Sequence, residues 1–144
     1  MPDYPERLQS LLDVFAGVTD VHERTQLLID FARKFKEVPA EVATRPFAQD
    51  HLVKFCESEA YVWAVPNADG TLKLYFAVEN PSGVSAKALA AILDKALSGL
   101  PPADIATVAP EIVERLFRQN ISMGKGMGLM SIVQNVATLA RRHL

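Results

Sequence analysis

The chain has 144 residues, 49% of them hydrophobic, and a formal charge of −2 at neutral pH. That length buries a real core in one globular domain over 1–144, and the interspersed, nearly balanced charges leave no broad basic face for a nucleic-acid backbone. The longest apolar runs fall far short of the roughly 18 residues that cross a bilayer. The start, Met1-Pro2-Asp3-Tyr4-Pro5-Glu6, lacks the features of a secretion signal or a transit segment, so a soluble protein of the cytoplasm, with no membrane partner, is the expectation.

In chain order, Leu8, Leu11, Leu12 and Phe15 recur at helical spacing, and Gly17 stops this first segment. Asp20 with Glu23 supplies a capping box for a second helix. That helix carries Leu27, Leu28, Phe31, Ala32 and Phe35 inward, with Arg24, Asp30, Arg33, Lys34 and Lys36 largely outside. Prolines at 39 and 46 disfavour helix on the way to His51, so 37–50 reads as loop. Ser58 to Pro66 is rich in β-formers, and Asn67-Ala68-Asp69-Gly70 supplies a turn. Leu72, Leu74, Phe76 and Val78 then alternate with Thr71, Lys73 and Tyr75, which predicts an antiparallel hairpin with one buried face.

Asn80-Pro81-Ser82-Gly83 ends the sheet. Leu89, Ile92, Leu93 and Leu97 stripe a helix closed by Gly99 and Pro101-Pro102. A short helix opening at Pro110 carries Ile112, Val113, Leu116 and Phe117, and the last runs from about Lys125 with Leu129, Ile132, Val133 and Val136 inward. Two helices, a small antiparallel sheet and three more helices make an α+β order.

Cys56 is the only cysteine, so it forms no internal disulfide and builds no thiolate-rich metal site alone. Its chemistry, if it has any, needs a group brought from outside. A lone cysteine is often a small buried hydrophobe. Here the charged residues Lys54, Glu57 and Glu59 and an adjoining strand boundary favour a reactive thiol. Glu57 and Glu59 disfavour its anion, while Lys54 and His51 favour it. Lowering a thiol's pKa by one unit increases its rate only about threefold, because nucleophilicity falls as thiolate fraction rises. Alignment of two sulfurs is worth far more, so docking dominates.

The stretch Ser122-Met123-Gly124-Lys125-Gly126-Met127-Gly128-Leu129 places three alternating glycines before a helix, where backbone N–H groups can receive an anion. Its spacing matches no standard nucleotide loop. The three histidines are scattered, and a metal site is not expected. His51, five residues before Cys56, is about 17 Å away along an extended chain. It becomes a general base for the thiol only if the loop folds back.

Cys-x-Ser before an aromatic strand, between an N-terminal helical pair and a glycine-marked C-terminal helix, resembles the SufE/CsdE sulfur-acceptor proteins over nearly the whole chain. The resemblance implies a SufE/IscU-like α+β fold, with helices packed on one face of a small sheet and the sulfur-carrying loop at its edge. It also implies that a pyridoxal-phosphate cysteine desulfurase of the SufS or CsdA type passes persulfide sulfur to Cys56 and is stimulated by doing so. A downstream iron-sulfur scaffold then receives that sulfur.

On this reading the chain holds no cofactor, the pyridoxal phosphate being the partner's, and acts as a sulfur-transfer partner rather than a stand-alone enzyme. Ser58 matches the family's serine, its hydroxyl bonding a backbone group or the sulfur, against the plainer reading of a strand-edge serine. Aligning on Gly128-Leu129 puts Lys125 at the family's arginine near the cysteine loop. Phe55 stands where the family usually has glycine. Tyr61 and Trp63 read as core aromatics. Two other readings remain: an iron-sulfur scaffold, which ordinarily needs several cysteines, and a thiol-dependent hydrolase using Cys56 and His51.

Overall fold

In the computed structural model, which describes residues 4–54, 56 and 58–144, the predicted order is realised with one short helix added after the sheet. Helix α1 (Glu6–Ala16) buries Leu8, Leu12 and Phe15 on one side. Helix α2 (Val21–Arg33) begins at Asp20, whose carboxylate accepts the Glu23 N–H at 3.0 Å. Strands β1 (Ala60–Pro66) and β2 (Leu72–Val78) pair antiparallel with Val62 opposite Phe76. Helices α3 (Val84–Leu97), α4 (Pro102–Ile105), α5 (Ile112–Phe117) and α6 (Met123–Arg141) follow.

The main core lies between the helices and one face of the hairpin, which contributes Ala60, Val62, Leu72, Leu74, Phe76 and Val78. Helix α3 runs through its centre, packing on α2 and β2, while α6 lies across β1. Alanines at 86, 88, 90 and 96 leave α3 thin enough to be covered nearly all round. These pieces form the α+β arrangement expected, with helices on one face of the sheet.

The other face is not open, as a one-faced hairpin would leave it. Phe47, from the loop over 37–48, packs its ring 5.1 Å from both Tyr61 and Trp63, forming a second small core with Val38 and Ala77. The same segment extends the sheet, the Val38 N–H donating to the Phe76 carbonyl at 2.9 Å, and just beyond it Leu52 pairs with Tyr61 across the outer edge of β1. Arg45 ties it down by bonding Glu37 and Glu79 with its guanidinium, 4.9 Å from the Phe47 ring. Alternation underestimates burial here, because a sheet face can be covered by loop as well as by helix.

Three further expectations are corrected. Arg24 is not outside: it is 2% exposed. Its guanidinium donates to the Phe15 carbonyl and, at 2.7, 3.2 and 2.7 Å, to those of Val18, Arg115 and Leu116. These carbonyls lie at or beside the C-terminal ends of α1 and α5, where helices leave acceptors without intrahelical partners. Burial, and the neighbouring charge of Arg118, push the Arg24 guanidinium below its ordinary range.

Pro101-Pro102 does more than close α3, because Pro102 occupies the first turn of α4, where its missing N–H costs nothing. Helix α6 begins before its glycines, not after them. The Ser122 hydroxyl caps the Lys125 N–H at 3.2 Å, and that cap starts the helix despite the poor intrinsic propensity of glycine.

Tyr4 closes the N-terminal end by donating its hydroxyl to Glu111. Burial first, then the bond to Glu111 and that residue's charge, push the phenol up to about 12 from 10.0. A raised folded-state pKa favours the protonated form. Its contribution is therefore whole below pH 10.0 and is lost as pH rises towards about 12. Stability measured by urea titration should fall across that window, and Tyr4→Phe should flatten the fall. An equal decline in both proteins would rule out Tyr4 as its source.

Candidate functional site

Cys56 stands at the tip of a reversed loop at the edge of the sheet. The base of the loop is fixed by the Leu52–Tyr61 bridge and by the Val53 N–H donating to the Ala60 carbonyl at 2.8 Å. On the return side, the Glu59 N–H donates to the Cys56 carbonyl at 3.1 Å, closing a turn. The Asn80 and Glu79 N–H groups reach the Ser58 and Glu59 carbonyls at 3.2 Å each, carrying the β1–β2 ladder out towards the cysteine. Glu59 has φ of 51°, in the left-handed region that non-glycine residues visit sparingly. That conformation redirects the chain from the turn into β1.

The Cys56 side chain is half-buried and packs against the main core. It opens onto a cleft of about 40 Å³ lined by Ser58, Ser85, Gly124, Lys125, Gly128 and Leu129. A space of that size admits one or two water-sized atoms. Ser58 comes from the cysteine loop, Ser85 from the first turn of α3, and the rest from the first turns of α6. The approach of α3 depends on Gly83: a Cβ there would lie 2.8 Å from Val78 Cγ1 and 3.1 Å from both the Asn80 carbonyl oxygen and Ser58 Oγ. Glycine is required for closeness here, its φ of −78° being ordinary.

The structure thus brings Cys56, Ser58, Lys125 and Gly128 together around one cleft. His51 is directed elsewhere. Its Nδ1 lies 3.0 Å from the Val62 carbonyl, and its ring stacks on Trp63 with centroids 5.1 Å apart. That is the small-core face of the sheet, whereas Cys56 packs against the main core. Glu57 and Phe55 lie outside the described residues. Among the described residues the Ser58 hydroxyl makes no hydrogen bond, and no cluster of three or more His, Cys, Asp or Glu side chains is arranged to hold a metal. Ser85 had no sequence signal, since only the packing of α3 beside α6 carries it to Cys56.

Two chemical elements meet in the cleft: one thiol and one cation. The Lys125 side chain comes from an exposed position on the first turn of α6, where the helix dipole also favours negative charge. Lys125→Met should slow alkylation of Cys56 by iodoacetamide about twofold at neutral pH, a modest factor because an exposed charge is screened. Unchanged alkylation would remove Lys125 from the site.

Residues 9–140 match the family model described as SufE, Fe-S metabolism associated domain. Over 133 residues the chain is 25% identical to SufE-like protein 1, chloroplastic/mitochondrial, of Arabidopsis thaliana. The match covers 92% of this chain and 34% of that protein, so the chain spans about a third of its relative's length. In fold it is similar to the solution structure of a hypothetical protein from Thermus thermophilus, with a TM-score of 0.76, 24% identity and 98% of each chain covered.

Proposed function

The chain belongs to the SufE family, whose domain is associated with iron-sulfur metabolism, and from that premise we propose that Cys56 is a sulfur acceptor loaded by a pyridoxal-phosphate cysteine desulfurase. The observation that carries this reading is the cleft: the chain's only cysteine opens into a space large enough for one more sulfur, beside a lysine and a helix N-terminus.

The transfer is a thiol–disulfide type exchange. The Cys56 thiolate attacks the outer sulfur of the persulfide held on the desulfurase. A new sulfur–sulfur bond forms as the old one breaks, and its electron pair leaves on the desulfurase cysteine as a thiolate. Cys56 then carries a persulfide anion. Lys125 and the N–H end of α6 favour that charge, while the walls of the cleft limit its exposure to water and to small thiols. A second exchange passes the outer sulfur to an iron-sulfur scaffold. A compartment that keeps thiols reduced suits the chemistry, and we assign the cytoplasm. No described helix is long and apolar enough to cross a membrane.

The competing readings fit less well. A cluster scaffold is ordinarily built from several thiolates, and this chain has one. A thiol hydrolase needs a histidine within hydrogen-bond reach of the sulfur, and His51 is engaged across the sheet.

The direct test is to incubate the chain with a cysteine desulfurase, pyridoxal phosphate and cysteine, then measure its intact mass. The expected result is a gain of one sulfur that a reductant removes. A chain that gains none, under conditions where the desulfurase turns over, refutes the proposal.

A further inference from the structure

An open cavity of about 600 Å³ lies where the C-terminal ends of α1 and α5 meet the start of α2, and it shares no lining residue with the Cys56 cleft. Leu12, Ala16 and Val21 give it apolar surface, while Arg24, Arg115 and Arg118 bring three arginines to it. Glu114 is the one acidic residue in the lining, so three positive charges against one negative leave a surplus of two. Among the described residues, no carboxylate forms an ion pair with any of the three arginines.

The carbonyl end of a helix is negative and repels an anion. Here that repulsion is answered in advance, because the buried Arg24 donates to the carbonyls that end α1 and α5. Arg118 is held beside it. The Asn120 side-chain amide donates to the Val21 carbonyl at 3.0 Å and to the Thr25 hydroxyl at 2.6 Å, which fixes the short turn Arg118–Asn120 against α2. Arg118 itself has φ of 46° and ψ of −122°, a strained conformation for a residue with a Cβ. Burial first, then the Arg118 charge, push the Arg24 guanidinium down, so the two cations feel each other without a counter-charge between them.

We propose that this cavity binds a small phosphate monoester, with its phosphate against the arginines and its organic part against Leu12, Ala16 and Val21. A phosphate monoester carries a charge of about −1.5 to −2 at neutral pH and three strong acceptor oxygens, which suits a surplus of two positive charges. A lone carboxylate offers half that charge and two oxygens. Guanidinium forks bond phosphate through paired hydrogen bonds, and the cavity falls within the roughly 300–1,000 Å³ of small-molecule sites. Binding here is independent of what Cys56 does.

Equilibrium dialysis of the full chain with phenyl phosphate tests the site. One molecule should bind per chain. Inorganic phosphate and benzoate should each compete at least about tenfold more weakly, because each supplies only half of what the cavity recognises. Arg118→Gln, at an exposed position that tolerates the change, should weaken phenyl phosphate about tenfold, and Arg115→Gln should do the same. Arg118→Lys should recover part of the loss, since it keeps the charge without the fork. Arg141→Gln removes a guanidinium that does not line the cavity, and should change binding by less than about twofold.

No saturable binding in the millimolar range overturns the site. Equal losses in Arg118→Gln and Arg141→Gln also overturn it, since they describe a general attraction to positive charge. Competition by inorganic phosphate as strong as that by phenyl phosphate itself overturns the assignment of an ester.

Discussion

Replacing Arg24 by methionine should lower the stability of the folded chain by about 3 kcal/mol or more, a large part of the 5–15 kcal/mol typical of a domain. The substituted side chain keeps most of the apolar stem, so the loss falls on the guanidinium. Four carbonyls, from Phe15, Val18, Arg115 and Leu116, take their side-chain hydrogen bonds from that one group. A buried acceptor left unpaired costs about 1–3 kcal/mol. The full sum is not expected, because the Phe15 carbonyl keeps the Val18 N–H at 3.1 Å and the site borders an open cavity of about 600 Å³ through which water can reach some of the other carbonyls. Arg24→Lys should recover only part, since one ammonium cannot span two helix ends as a planar fork does. Urea or thermal unfolding measures both. A change below about 1 kcal/mol for the methionine variant would mean that water replaces the guanidinium without penalty.

Cys56→Ser should abolish sulfur loading outright while leaving the fold in place. The substitution is nearly isosteric at a half-buried position on the margin of the core, so the unfolding midpoint should barely move. A serine hydroxyl is a poor nucleophile at neutral pH without an activating base, and His51, the histidine nearest in sequence, is turned to Trp63. Intact mass after incubation with a working desulfurase should show no added sulfur, and stimulation of that enzyme should disappear. Full stimulation by the serine variant would instead describe an adaptor that works by docking, with its thiol a bystander.

Much of this architecture can be read from one-dimensional pattern. Leu8, Leu12 and Phe15 at helical spacing, and the alternating Leu72, Leu74, Phe76 and Val78, are buried as their periods require, because a helix stripe and a strand face are geometric consequences of 3.6 and 2 residues per turn. The cap at Asp20 is equally local. What pattern misses is set by partners distant in sequence. Arg24 reads as a surface charge on α2, and only α5, some 90 residues later, supplies two of its acceptors. The second core around Phe47 needs an irregular loop to lie on a strand. Helix α4 is only four residues long, too short to display a period.

At the site, Cys56, Ser58, Lys125 and Gly128 are legible from the family pattern and meet around one cleft. His51 is near Cys56 in sequence, but it is held against Trp63 on the small-core face of the sheet while Cys56 packs against the main core. Ser85 carries no mark in the sequence at all.

The pairings at the base of the cysteine loop limit how far the sulfur can travel. Between Val53 and Ala60, which are held together, six residues go out and return. Even fully unrolled, three residues per limb at about 3.3–3.6 Å each carry the tip only about 10 Å from its anchor. Such a tether cannot ferry a load across a gap between distant proteins. If Cys56 carries sulfur as proposed, each delivery is a handover at arm's length, and donor and acceptor must visit the same doorstep in turn.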